Sequence, residues 1–289
     1  MVEVQLPDLV ASFFTLSGAG FGEPPRNSFV ERCEAAAAAG FTGIGLHAED
    51  LPRTIAGGVD IGEMQSVLRI NGVKLVEIEF LGGWALASTE DTPRATSVRG
   101  IEAVAEVLGG RHVSAGEFRG DLTLDTDEAI DAAAAALRIN ADRLATRGLL
   151  VAVEAFPWSA ISTIGLATEL VRRSGAPNAG LMIDAWHFFN SGADLEALQD
   201  LPGAGVAAVQ LNDGQSVHED FLRHARAGRE LAGRGELDVV GLIRAVRRAG
   251  FDGPFCVEVN TPDFRALPVD EAARQAADSA TQVLRLALG

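Results

Sequence analysis

Apolar runs and helical patterns alternate eight times along this 289-residue chain. Short runs rich in Val, Ile, Leu, Ala and Phe, bounded by turn residues, predict strands at about 9–16, 43–48, 74–81, 112–116, 149–156, 179–186, 206–213 and 254–260. Between them, apolar residues at helical spacing predict helices near 27–39, 60–70, 96–108, 126–146, 162–174, 194–199, 238–249 and 268–287. Glycines close several of these, as Gly40 after EAAAAA, Gly148 after LATR and Gly250 after VRRA. A strict βα alternation implies a parallel sheet, and eight units imply a closed one, so the expected architecture is a single (β/α)8 TIM barrel over residues 1–289. An open doubly wound sheet is the runner-up, but GAGFG at 18–22 does not fit the GxGxxG phosphate loop that would announce it. No Pro/Ser-rich linker divides the chain, and the longest expected loop is 214–236.

Side chains on a strand alternate between faces, which sorts each strand into an outer and an inner row. Val151 and Val153 oppose Ala152 and Glu154; Leu181 and Ile183 oppose Met182 and Asp184. Val209 and Leu211 oppose Ala208 and Gln210, while Val257 and Val259 oppose Cys256 and Glu258. With the branched rows against the helices, Glu154, Asp184, Gln210 and Glu258 point inward near the C-terminal strand ends, where barrel enzymes build their sites. Leaving such groups buried and unpaired costs several kcal/mol each, on the order of a domain's net stability in sum, and a cation would compensate.

Composition narrows the field. A hydrophobic content of 47% fits a globular core, and a net charge of −16 argues against a broad nucleic-acid contact. No long apolar run suggests a membrane span, and MVEVQLPDLV lacks the pattern of a secretory leader, so a cytoplasmic location is expected. Cys33 and Cys256 form no CxxC pattern and are expected to be small core residues.

Two carboxylates from Glu154 and Glu258, one from Asp184 and an amide oxygen from Gln210 make an oxygen-rich set suited to Mn²⁺ or Mg²⁺ rather than to a structural zinc. In phase at the mouth, His47 ends the second strand and Glu79 the third; both are candidate substrate contacts, whereas Glu77 is deeper and expected to be paired within the barrel. Trp84, Trp158 and Trp186 follow strand ends, where they pack over the mouth, and Trp158 is a candidate pocket wall. His112 is expected at the far end of the fourth strand, away from the chemistry. His218 and His224 are expected in a solvated loop.

The motifs VEAF, IDAWHFFNSG, VQLND, RELAGRGELD and VEVN together resemble the xylose-isomerase-like barrels, which include sugar isomerases, ketose epimerases, inosose dehydratases and AP-endonuclease-like proteins. The resemblance covers essentially the whole chain. It implies that Glu154, Asp184, Gln210 and Glu258 hold a divalent ion, with Mn²⁺ expected and Mg²⁺, Co²⁺ or Zn²⁺ as alternatives, and that His187 and Arg229 contact substrate oxygens. Two departures stand out: Gln210 replaces the histidine usual in isomerases and is similar to 3-dehydroshikimate dehydratases, and Ala232 replaces the proline of an RxxPGxG loop.

The expected chemistry is proton transfer through an enediolate, with Glu154 and Glu258 as base and acid on opposite sides of the substrate. Proton return gives a metal-dependent isomerase or epimerase of a keto-sugar or polyol-derived ketone, the leading expectation. Loss of a hydroxyl gives the alternative, a lyase of the dehydroshikimate or inosose dehydratase type on a cyclic hydroxy-ketone. An AP endonuclease and a non-catalytic barrel rank lower. No nucleic-acid or membrane partner is expected, and a homodimer is the default assembly.

Overall fold

In the computed structural model, which describes residues 5–85, 93–118 and 122–289, eight parallel strands close into a barrel. They are β1 (Leu9–Ala11), β2 (Gly43–His47), β3 (Lys74–Leu81), β4 (His112–Ala115), β5 (Leu150–Glu154), β6 (Ala179–Asp184), β7 (Val206–Leu211) and β8 (Phe255–Val257). Each pairs with its neighbours in sequence, and β8 closes on β1 through Leu9↔Phe255 to Ala11↔Val257. The (β/α)8 expectation holds. The first four residues of MVEVQLPDLV lie outside the described residues.

The helices begin where the sequence supplies caps. Ser28 Oγ accepts the Glu31 amide while the Glu31 carboxylate accepts the Ser28 amide, a reciprocal box opening Phe29–Ala38. Asp60, Thr126, Thr163 and Asp238 cap Ile61–Asn71, Asp127–Ala145, Ile164–Ser174 and Val239–Arg248 in the simpler way. The inner faces of these helices pack on the outer strand rows, since Val151, Val153, Leu181, Ile183, Val209, Leu211 and Val257 all lie in the main core. Ala152, Met182 and Ala208 instead belong, with Ala207, to a small separate cluster, as inward-facing residues should.

Several boundaries differ from the expectation. The first strand ends at Ala11, because Ser12 accepts the Thr15 amide and starts a short helix, Phe13–Ser17. Asp184 likewise caps Ala185–Asn190, so Trp186 is helical rather than extended, and His187 lies in the same helix. Short helices also occupy Asp50–Ala56 and Pro262–Arg265, and Leu195–Leu198 is a 3-10 turn. The expected loop 214–236 contains the helix Phe221–Ala227, flanked by a two-residue antiparallel ribbon that pairs Asp213–Gly214 with Arg229–Glu230. Along β3, the register against β4 shifts between Ile78 and Leu81. Leu81 therefore joins Ile78 in the outer core instead of sharing the inward row of Glu77 and Glu79.

One glycine is demanded by close approach. A Cβ on Gly45 of β2 would lie 2.8 Å from the Phe13 nitrogen and 3.2 Å from Glu77 Oε2, so its absence leaves room for a buried carboxylate. Among the described residues, no helix is long and apolar enough to cross a membrane.

Candidate metal and substrate site

Parallel register brings the candidate ligands together. Asp184 pairs with Gln210 across β6 and β7, Glu154 pairs with Met182, and Gln210 pairs with Cys256 of β8. Glu258 extends that last ladder by one bond, its amide donating to Leu211 O at 3.1 Å. Glu154, Asp184, Gln210 and Glu258 are all buried, as are His187, Arg229 and Glu79. His47 and Trp158 are half-buried at the rim.

The geometry groups them in a way parity alone does not. Ligand atoms of Glu154, Asp184 and His187 lie within 4.8 Å of one another. His187, expected as a substrate contact, thus stands among the candidate ligands. Glu258 is tied to Arg229, whose Nη1 donates to Glu258 Oε2 at 2.7 Å and to Asp184 Oδ2 at 3.1 Å. Arg229 Nη2 also donates to His187 Nε2 at 2.5 Å. Because a guanidinium can only donate, this contact places the His187 proton on Nδ1. That atom has no partner among the described residues.

Asp184 is held from both sides. Its Oδ1 accepts the His187 amide at 2.9 Å, and its Oδ2 accepts Asn212 Nδ2 at 2.5 Å. Asn212 Oδ1 in turn accepts the Trp186 amide at 2.8 Å. Asp213 organises the loop carrying Arg229 by accepting the amides of Gly233 and Leu237, each at 3.0 Å. Sequence reasoning missed both residues, although the ND following VQL was their signal.

Burial dominates the electrostatics. It raises the Glu154 carboxyl well above its usual range, reinforced by Asp184 and Glu258 and opposed by Arg229. Glu258 is pushed up to about 7 by burial, with the Arg229 charge limiting the rise. Glu79 also lies well above its usual range through burial and the charges of Glu77 and Glu258. Burial lowers His187 to about 3, keeping the imidazole neutral and fit to bind a cation or donate one hydrogen bond. Glu77 is the exception: burial opposes its ionisation, yet donors led by His112 hold its carboxyl below the usual value.

A cavity of about 470 Å³ opens above these groups. Glu79, Glu154, His187, Gln210, Arg229 and Glu258 line its floor, with His47 and Ser114 beside them. Phe14, Phe80, Phe118, Phe156 and Trp158 line an aromatic wall, whereas Trp84 and Trp186 are fully buried packing. The unforeseen helix Phe221–Ala227 contributes Leu222 and Arg226 to the rim. Asp184 does not line the cavity, and His112 bonds Glu77 from the start of β4, away from the mouth. His224 lies on the Phe221–Ala227 helix.

The donor set fits a divalent cation. Glu154 Oε1 and Gln210 Oε1 are buried oxygen atoms with no hydrogen-bond partner among the described residues. Beside them stand Asp184 and Glu258, both in contact with Arg229 on the floor. Buried acceptors left unsatisfied beside surplus acidic groups are what a bound cation resolves.

Known proteins share this framework. The sequence profile described as the xylose isomerase-like TIM barrel matches residues 33–285. The chain is 36% identical over 133 residues to a 3-dehydroshikimate dehydratase of Pseudomonas aeruginosa, a stretch covering 46% of this chain and 21% of that protein. It is 24% identical over 191 residues to an inosose isomerase of Bacillus subtilis, covering 65% of this chain and 68% of the relative. A solved IOLI protein with a bound zinc atom superposes with a TM-score of 0.85 at 19% identity, covering 96% of this chain and 98% of that one. That likeness is one of fold.

Proposed function

Since the chain belongs to the xylose isomerase-like TIM barrel family, we propose that it is a metal-dependent lyase that dehydrates a cyclic hydroxy-ketone bearing a carboxylate, of the 3-dehydroshikimate class. The observation that carries the metal part is the pair of unpartnered buried oxygens, Glu154 Oε1 and Gln210 Oε1, beside Asp184 and Glu258. Glu154, Asp184, Gln210 and Glu258 would hold the ion, while the His187 Nε2 lone pair is taken by Arg229. When bound, a divalent cation supplies positive charge that stabilises an oxyanion developing at the substrate ketone.

The chain's own groups do the rest. Glu154 takes the proton from the carbon beside the ketone with the carboxylate oxygen that does not face the ion. The departing hydroxyl takes up that proton and leaves as water, while Glu258 stays ionised beside the ion. His187 Nδ1–H and Arg229 steady substrate oxygens, and the aromatic wall accepts the face of a flat ring.

Two features favour this reading over sugar isomerisation. Gln210 stands where isomerases of the family carry histidine, and Arg226 offers a rim cation that no acidic side chain pairs among the described residues. A substrate carboxylate matches that cation; a neutral polyol does not. The matched stretch in the dehydratase relative supports the assignment. Incubation with 3-dehydroshikimate and Mn²⁺ tests it through the ultraviolet absorbance of an aromatic product. Absence of that product at millimolar substrate, with the protein shown to bind Mn²⁺, sinks the lyase assignment.

The second reading is an isomerase or epimerase of an inosose or keto-sugar. It is favoured by the longer match to the inosose isomerase and by acid and base on separate strands. Deuterium uptake from D₂O by such a ketone, without loss of water, would establish it instead.

A further inference from the structure

We propose that Glu77 is a positioning residue whose carboxylate fixes the direction of the Gln210 side-chain amide, so that Oε1 rather than Nε2 is presented to the cavity. This rests on the reading of Gln210 as a ligand to a divalent ion. A glutamine amide has two ends of nearly equal size and opposite chemistry, and only the oxygen can bind a cation. A histidine or carboxylate at this strand position carries no such ambiguity. A glutamine does, and something must resolve it.

Glu77 has the required properties. It sits on β3 across the barrel, fully buried and absent from the cavity lining, so it is not placed to bind the ion itself. Its Oε1 accepts Gln210 Nε2 at 3.0 Å and Ser114 Oγ at 3.2 Å, and lies 3.3 Å from His112 Nε2. Its Oε2 accepts Cys256 Sγ at 3.3 Å. Four neighbours on β4, β7 and β8 thus converge on one carboxylate. Ser114 Oγ, Gln210 Nε2 and Cys256 Sγ all donate to it, so it is the acceptor in each of these contacts.

An acceptor-only neighbour can receive only the NH₂ end of Gln210. Reversing the amide would set oxygen against oxygen at the same 3.0 Å and leave Nε2 without its acceptor. The outward end is accordingly Oε1, the buried atom with no partner. Gly45 completes the arrangement, since a Cβ there would stand 3.2 Å from Glu77 Oε2.

The test is a thermodynamic cycle on Mn²⁺ affinity, read by calorimetry on the full chain. Glu77→Asp keeps the charge but withdraws the acceptor by one methylene. In the Gln210 background it should weaken Mn²⁺ binding about tenfold, approaching Gln210→Ala alone. In the Gln210→Ala background, with no amide left to direct, it should change affinity less than twofold. Equal losses in both backgrounds would show that Glu77 acts through its charge or through the fold, and would overturn the proposal; so would wild-type affinity in Glu77→Asp. Should that variant not fold by circular dichroism, Glu77→Gln replaces it, and its loss should be at least threefold larger beside Gln210 than beside Ala. Failure of the unaltered protein to bind Mn²⁺ refutes the metal reading itself, a separate outcome.

Discussion

At the scale of single residues, the site consists of acidic groups held in unequal states. Glu258 releases its proton near 4.5 in the unfolded chain and at about 7 in the folded one. The folded state therefore retains an extra proton between these values, and the stability it confers is complete below pH 4.5 and lost as pH rises through 7. That interval is worth at most about 3 kcal/mol. His187 acts in the opposite sense: lowered to about 3, its contribution is present above 6.5 and lost as pH falls towards 3. Above pH 6.5 the histidine no longer contributes a slope, so the metal-free protein should lose thermal stability between about pH 6.5 and 8. Glu258→Gln should reduce that decline, to which the raised carboxyls of Glu154 and Glu79 also contribute, and melting curves in both proteins check it; an unchanged slope removes Glu258 as one of its sources. Asn212 makes a different claim. It holds Asp184 at 2.5 Å, so Asn212→Ala should weaken Mn²⁺ binding by about 10–100-fold, as outer partners of metal ligands do. Calorimetric affinity matching the unaltered protein would reduce Asn212 to a cap for Trp186.

At the scale of elements, the helix Phe221–Ala227 carries Arg226 to the rim, and it makes the substrate assignment testable. Arg226→Ala should raise KM for a carboxylated ketone by about tenfold with kcat little changed, since a rim cation binds ground and transition states alike. Steady-state kinetics decide it; a fall in kcat at constant KM would place Arg226 in the chemistry instead. This helix also marks where the sequence was least legible. FLRHARA carries only two large apolar residues in seven, and the helix exists because the ribbon Asp213–Gly214 with Arg229–Glu230 closes the loop around it. By contrast β3 and β4 were readable to within one residue, and β5 through β7 began within one residue of their expected starts but ended two residues early, because buried parallel strands are continuous apolar runs whose ends the apolar pattern does not mark. The inward parity of Glu154, Asp184 and Gln210 followed from the same runs. What no local pattern could reveal is contact across the barrel. That Glu77 reaches Gln210 depends on the barrel's closure and on Gly45, and that Arg229 ties Asp184 to Glu258 depends on the path of a long loop. The facing of Leu81 is illegible for a related reason, since the register shift before it belongs to the pairing with β4.

At the scale of the whole molecule, the candidate ligands come from the ends of four strands that are distant in sequence and neighbours in the sheet, so a bound ion would link β5 to β8. An unfolded chain offers no such site. Binding should then stabilise the folded state by mass action, about 2.7 kcal/mol at an ion concentration one hundred times Kd. For a chain of this length that corresponds to a rise in Tm of roughly 4–5 °C. Mn²⁺ should produce the rise, a chelator should reverse it, and Asp184→Ala should abolish it. The rise should also grow with pH. Protons and the cation compete for Glu154 and Glu258, whose carboxyls burial has lifted, so at about pH 6 the ion must displace protons that at pH 8 have largely left Glu258. Differential scanning calorimetry at the two pH values measures this directly. A Tm increment equal at both would mean that the ion binds without deprotonating Glu258, and would remove that residue from the ligand set while leaving Asp184 in place.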